Sequence, residues 1–109
     1  MRRDVFQAIA DPVRRDIIGM LARETMTMNS VAENFSISRP AVSKHIKILH
    51  ECGLVTFKKQ GRERYCIIQP ENLHEVAGWV EQFRGLWETK LDSFEAYLDT
   101  IQQNKKEHE

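Results

Sequence analysis

Apolar residues along this chain keep two rhythms, and the places where one gives way to the other divide it. Up to residue 53 the spacing is helical. Val5, Phe6 and Ile9 share one side of a short helix over 4–10, and Ile17, Ile18 and Leu21 one face of a second that ends near Ala22. Val31, Ala32 and Phe35 mark a third helix over 28–34, and Val42, Ile46 and Leu49, at i, i+4 and i+7, a fourth. Then the pattern becomes extended. Leu54-Val55-Thr56-Phe57 and Tyr65-Cys66-Ile67-Ile68 are rich in β-branched and aromatic residues, with a polar, glycine-containing stretch from Lys58 to Arg64 between them, which predicts a β-hairpin. From Leu73 to Ile101 spacings of three and four return through Val76, Val80, Phe83, Trp87, Leu91, Phe94 and Leu98, predicting one long helix over 72–103 with a coiled-coil-like seam.

Capping residues punctuate these elements. Asp11 is a good N-cap and Pro12 a good first residue for the second helix, and Thr27 can cap the third. Ser38 caps the fourth, Pro40 sits in its first turn where a missing N–H costs nothing, and Gly53 can take the left-handed conformation that ends it. Asn72, with Glu75 at capping-box distance, opens the last helix. Two short helices joined by a tight connection at Ser36-Ile37 make a helix-turn-helix over 27–52, and the hairpin over 54–68 directly behind them is placed as a wing. The expected fold is mainly α with a small β-hairpin, a single winged helix-turn-helix domain over 1–109.

The outward face of the fourth helix carries Pro40, Ser43, Lys44 and Lys47, with Arg39 at its edge. Short residues near the helix start let the backbone approach base edges while cations meet phosphates, so this is read as a recognition helix for double-stranded DNA. Arg39, Pro40, Ala41, Ser43 and Lys44 are the expected base readers, with Arg39 suited to a bidentate contact to guanine. Ser38, Lys47, Lys58, Lys59, Arg62 and Arg64 are the expected phosphate contacts. Charge supports this once divided along the chain: the net is zero, yet residues 36–70 carry seven basic and two acidic side chains while residues 71–109 carry four and nine. Arg14 and Arg15 lie outside their helix's apolar stripe, and with Asp11 and Asp16 so close, pairing within the chain is favoured over phosphate contact.

At 109 residues and 41% apolar content the chain has a modest core. The apolar stripe of the last helix, widened by Trp79, Leu86 and Tyr97, is longer than such a body can cover, and a homodimer is therefore expected. No segment has the length or hydropathy of a membrane span and no signal peptide is visible, which suggests a cytoplasmic protein. The charged end over 104–109 is expected to fray. Cys52 and Cys66 fit neither a disulfide framework nor a metal knuckle, and His50 and His74 complete no recognisable ligand set, so neither a metal nor a cofactor is expected. Nothing suggests an enzyme: no nucleophile stands at a recognisable spacing from a base and its orienting partner.

The run from Phe6 to Ile17, with its Ala-Asp-Pro-Val-Arg core, resembles the opening of the ArsR family of bacterial winged-helix repressors. So do Ser38 to Val55, with Pro-Ala-Val-Ser-x-His-Ile and the Gly-Leu-Val exit, and the wing residues Gly61 to Tyr65. The resemblance implies a dimer whose first and last helices form the interface, here Val5, Phe6 and Ile9 with Phe83, Trp87, Leu91, Phe94 and Leu98, bound to an operator of two-fold symmetry and repressing nearby genes. It also implies a subgroup without metal: where metal-sensing relatives have Cys-x-Cys, this chain has Asn29 to Asn34, and on the last helix His74 is followed by Ala77 where a second ligand would stand. A metal- or redox-responsive sensor of the same fold, and a winged-helix module that binds only protein, are the alternatives.

Overall fold

The structure, a computed structural model, describes residues 4–107, with side chains described through residue 103. The chain divides into two compact units, Met1–Val76 and Ala77–Glu109. The second unit is helical and satisfies its backbone hydrogen bonds within its own helices.

The first unit begins with α1 (Val5–Ile9), capped by Asp4, and α2 (Pro12–Arg23), capped by Asp11, whose carboxylate accepts from the Val13 N–H at 3.2 Å. A two-residue strand β1 (Met26–Thr27) leads into α3 (Met28–Glu33), where the Thr27 hydroxyl accepts from Ser30 N–H. After the tight connection comes α4 (Arg39–Glu51), capped by Ser38. Gly53 ends it at φ +80°, the left-handed conformation expected there. The Asn72 side-chain amide then donates to the Gly53 carbonyl.

β2 (Val55–Gln60) and β3 (Glu63–Ile68) form the hairpin, and β1 pairs with the other edge of β3, giving an antiparallel sheet in the order β1-β3-β2. Gln60 pairs with Glu63, so the loop is Gly61-Arg62 alone, with φ +64° at Gly61, the type II′ pattern that matches strand twist. Most of the stretch expected as a loop, Lys58 to Arg64, is therefore strand. The core gathers one face from each element: Val5 and Ala8, Ile17 and Leu21, Val31, then Val42, Ile46 and Leu49, and Leu54, Val55 and Cys66. Burial on α1 thus follows Val5 and Ala8, with Phe6 and Ile9 only half-buried.

The expected continuous helix over 72–103 is a 3-10 turn and two helices. Pro70–Leu73 is the turn, α5 runs His74–Glu81, and α6 runs Arg84–Glu107. Asn72 lies inside the turn and caps no helix; its side chain is used on Gly53. At the break the Phe83 N–H bonds back three residues to the Val80 carbonyl at 3.0 Å, and the Gln82 amide donates to the Trp79 carbonyl at 2.9 Å, closing off the end of α5. The apolar spacing runs straight through 82–83, because a tightened turn shifts the phase of a helix without removing its apolar residues. The backbone of 104–107 continues α6, and 108–109, the rest of the end expected to fray, lies outside the described residues.

Candidate nucleic-acid interface

Three buried side chains on one side of α4 fix which residues it turns outward. With Val42, Ile46 and Leu49 in the core, Arg39, Pro40, Ser43, Lys44 and Lys47 are all exposed and Ala41 is half-buried. Ser38 is spent partly on the helix: its hydroxyl accepts from the Ala41 N–H at 3.3 Å. Arg39 Nη1 donates to Asn29 Oδ1 at 2.9 Å, so a residue of α3 holds the guanidinium that the sequence marks as the main base reader.

The sheet register sorts the wing's cations. Lys59 pairs with Arg64 and Phe57 with Cys66, which puts Lys59 and Arg64 on the face that Phe57 shares with the core, and Lys58 with Tyr65 on the other. Arg64 lies over the Phe57 ring at 4.1 Å from its centroid, held by the ring quadrupole. Lys58, Lys59 and Arg62 are exposed. Between wing and helix runs an open groove of about 520 Å³ lined by Met28, Ser43, Lys47, His50, Phe57 and Arg64. Its wall is tied together by His50, whose Nδ1 is 2.8 Å from the Val55 carbonyl oxygen and whose ring lies 4.9 Å from that of Phe57.

Behind the recognition helix, Arg14 makes the connection to α1. Its Nε and Nη2 donate to the carbonyls of Ala8 and Gln7 at 2.9 and 3.0 Å, and its Nη1 lies 3.3 Å from His45 Nδ1. A guanidinium only donates, so the neutral His45 ring accepts at Nδ1, with Asp11 Oδ2 4.0 Å away. Arg15 likewise donates to the Ile9 carbonyl at 2.7 Å. Both arginines are engaged within the chain as expected, but on the carbonyls at the end of α1 rather than on Asp11 or Asp16. At the end of the short helix the Gln7 carbonyl also accepts from the Ala10 N–H at 3.3 Å, so the arginines add their donors to a backbone closure already begun.

Asn29, His50 and Phe57 are the interface residues that sequence reading does not mark. Asn29 and Phe57 carry no charge, and His50 stands out only as a possible metal ligand. Each joins the interface through a partner on another element, which periodicity along one element cannot reveal. Both cysteines are buried, and burial pushes the Cys66 thiol up to about 11 despite the opposing pull of Arg64. Among the described residues no three His, Cys, Asp or Glu side chains converge as a metal site would require. Of the expected dimer residues, Val5 is buried in its own unit, Phe6, Ile9 and Phe83 are half-buried, and Trp87, Leu91 and Phe94 are 53%, 61% and 57% exposed, with Leu98 exposed as well. No helix among the described residues is long and apolar enough to cross a membrane.

Residues 11–56 match the model of a family described as bacterial regulatory protein, arsR family. The chain is 34% identical over 80 residues to the transcriptional repressor SdpR of Bacillus subtilis, covering 73% of this chain and 89% of that one. It is 30% identical over 95 residues to the HTH-type transcriptional regulator Rv2034 of Mycobacterium tuberculosis, covering 87% and 86%. Among solved structures, the ArsR family transcriptional regulator RHA00566 superposes with a TM-score of 0.68 at 39% identity, over 77% of this chain and 92% of that one.

Proposed function

The chain belongs to the ArsR family of bacterial transcriptional regulators, and from that premise we propose that it is a homodimeric repressor that reads an inverted-repeat operator. The observation that carries this reading is the basic surface running from Arg39, Lys44 and Lys47 on α4 to Lys58, Lys59, Arg62 and Arg64 on the wing. Lys59 and Arg64 stand directly across from each other on one face of the sheet, an arrangement that costs stability until an anion neutralises it. DNA phosphates supply that anion at regular spacing. Arg39 contacts a base edge through the guanidinium edge that Asn29 does not occupy, with Ser43 and Lys44 beside it and Pro40 or Ala41 against a thymine methyl. Ser38, Lys47 and the wing cations set the register on the backbone.

Dimerisation supplies the second half-site. The exposed apolar side chains of α6 form a surface that a second copy would cover, with Phe6 and Ile9 offering apolar surface on α1. Two recognition helices about 34 Å apart then meet successive major grooves. The buried thiols and, among the described residues, the dispersed donors lend no support to a redox or metal sensor. The test is operator selection from random duplexes with purified protein. Enrichment of an inverted repeat supports the reading; enrichment of nothing above background, with the dimer intact, favours a protein-binding module.

A further inference from the structure

The groove between α4 and the wing contains one titratable group that a count of lysines and arginines leaves out. A carbonyl oxygen only accepts, so the 2.8 Å contact from His50 Nδ1 to the Val55 carbonyl requires the proton on Nδ1. In the neutral ring the lone pair therefore sits on Nε2, and Nε2 has no hydrogen-bond partner among the described residues. The groups around the ring are Lys47 one turn back and Glu51 adjacent on α4, Arg64 on β3, and Lys59 across from Arg64 on β2. The other neighbours, Met28 of α3 and Phe57 of β2, do not titrate. Among the described residues no acidic side chain lines the groove.

Resting on the operator-binding reading above, we propose that this groove seats a backbone phosphate of the DNA and that His50 is its protonation-dependent contact. When the ring takes up a proton, Nε2 changes from acceptor to donor while Nδ1 stays on Val55. It then places an N–H and a positive charge beside those of Lys47 and Arg64, on the anion those two already attract. A DNA phosphate is favoured over a free anion because the groove opens beside Ser43 and Lys47, on the surface that lies along the duplex. The sign follows from linkage. A phosphate favours the charged ring, so the complex holds the proton more tightly than the free protein does, and binding strengthens below the histidine range and weakens as pH rises through it.

The experiment is operator binding by fluorescence anisotropy at constant ionic strength between about pH 8 and pH 6, for the wild type, His50→Gln and His50→Arg. Wild-type affinity should rise by up to about two decades per pH unit, one for each protomer's ring, more steeply than that of His50→Gln, which keeps a donor for Val55 but cannot charge. His50→Arg should hold near the wild type's low-pH affinity across the range. A thermal midpoint for each variant separates contact loss from unfolding. Equal slopes in wild type and His50→Gln overturn the proposal while leaving operator binding intact, whereas failure of the wild type to bind any operator removes the reading beneath it. Inorganic phosphate titrated against the His50 ring signals covers the remaining case: proton-linked binding of free phosphate, with operator slopes unaltered by the variants, assigns the groove to a small anion and overturns the DNA contact.

Discussion

The bond from Arg39 to Asn29 crosses from the recognition helix to the helix before it, at 2.9 Å between two exposed side chains. Such a bond adds little to stability, but it limits the rotamers of the guanidinium and so prepares it for one base edge. Arg39→Ala is expected to cost about 1–3 kcal/mol per half-site on the operator and much less on random duplex, as checked by paired titrations. Asn29→Ala should lose part of that discrimination while keeping the cation. Cys66 is governed by burial. With its thiol raised from 9.0 to about 11, it resists ionisation in the native state, so its contribution to stability is fully present below pH 9 and lost as pH rises toward 11. Alkylation at neutral pH should therefore be slow in the native protein and fast in denaturant. At this scale the sequence exposes which residues point outward from one helix, since Val42, Ile46 and Leu49 leave α4 only one free face. It conceals Asn29, His50 and the Arg14–His45 contact, each set by distances between elements far apart in the chain.

Among the elements, the wing and the first helix have separable duties. Neutralising Lys58, Lys59 and Arg62 together should weaken binding to every duplex alike and flatten the salt dependence by about two to three units in log–log slope per protomer, roughly five for the dimer. Arg14→Ala should act on the fold: it strips the Ala8 carbonyl of its guanidinium donor, leaves the Gln7 carbonyl only the Ala10 N–H and unties α1 from His45, for a cost of about 1–3 kcal/mol in denaturant unfolding. The helix starts at Asp11, Thr27 and Ser38 were legible because capping chemistry is local. β1 was not, since Met26-Thr27 is too short to show an alternation and exists only by pairing with β3. The break at 82–83 was hidden for the opposite reason: the apolar spacing continues through it, and what stops α5 is the tightened turn at Phe83 with the Gln82 side chain on Trp79.

On the scale of the whole molecule, the zero net charge conceals a division of labour between a basic middle and an acidic tail. The tail's apolar band is the part of the chain with the most to gain from a second copy. Trp87→Glu with Leu91→Glu is expected to convert dimer to monomer in sedimentation and to abolish operator binding, while leaving the helical signal of the first unit in place. The most direct test of a dimeric repressor is footprinting of the purified wild-type protein on the DNA upstream of its own gene, titrated across salt. Protection of an inverted repeat whose half-sites lie about one helical turn apart, lost steeply as salt rises, is the expected result. Protection that follows no sequence at any salt would contradict it.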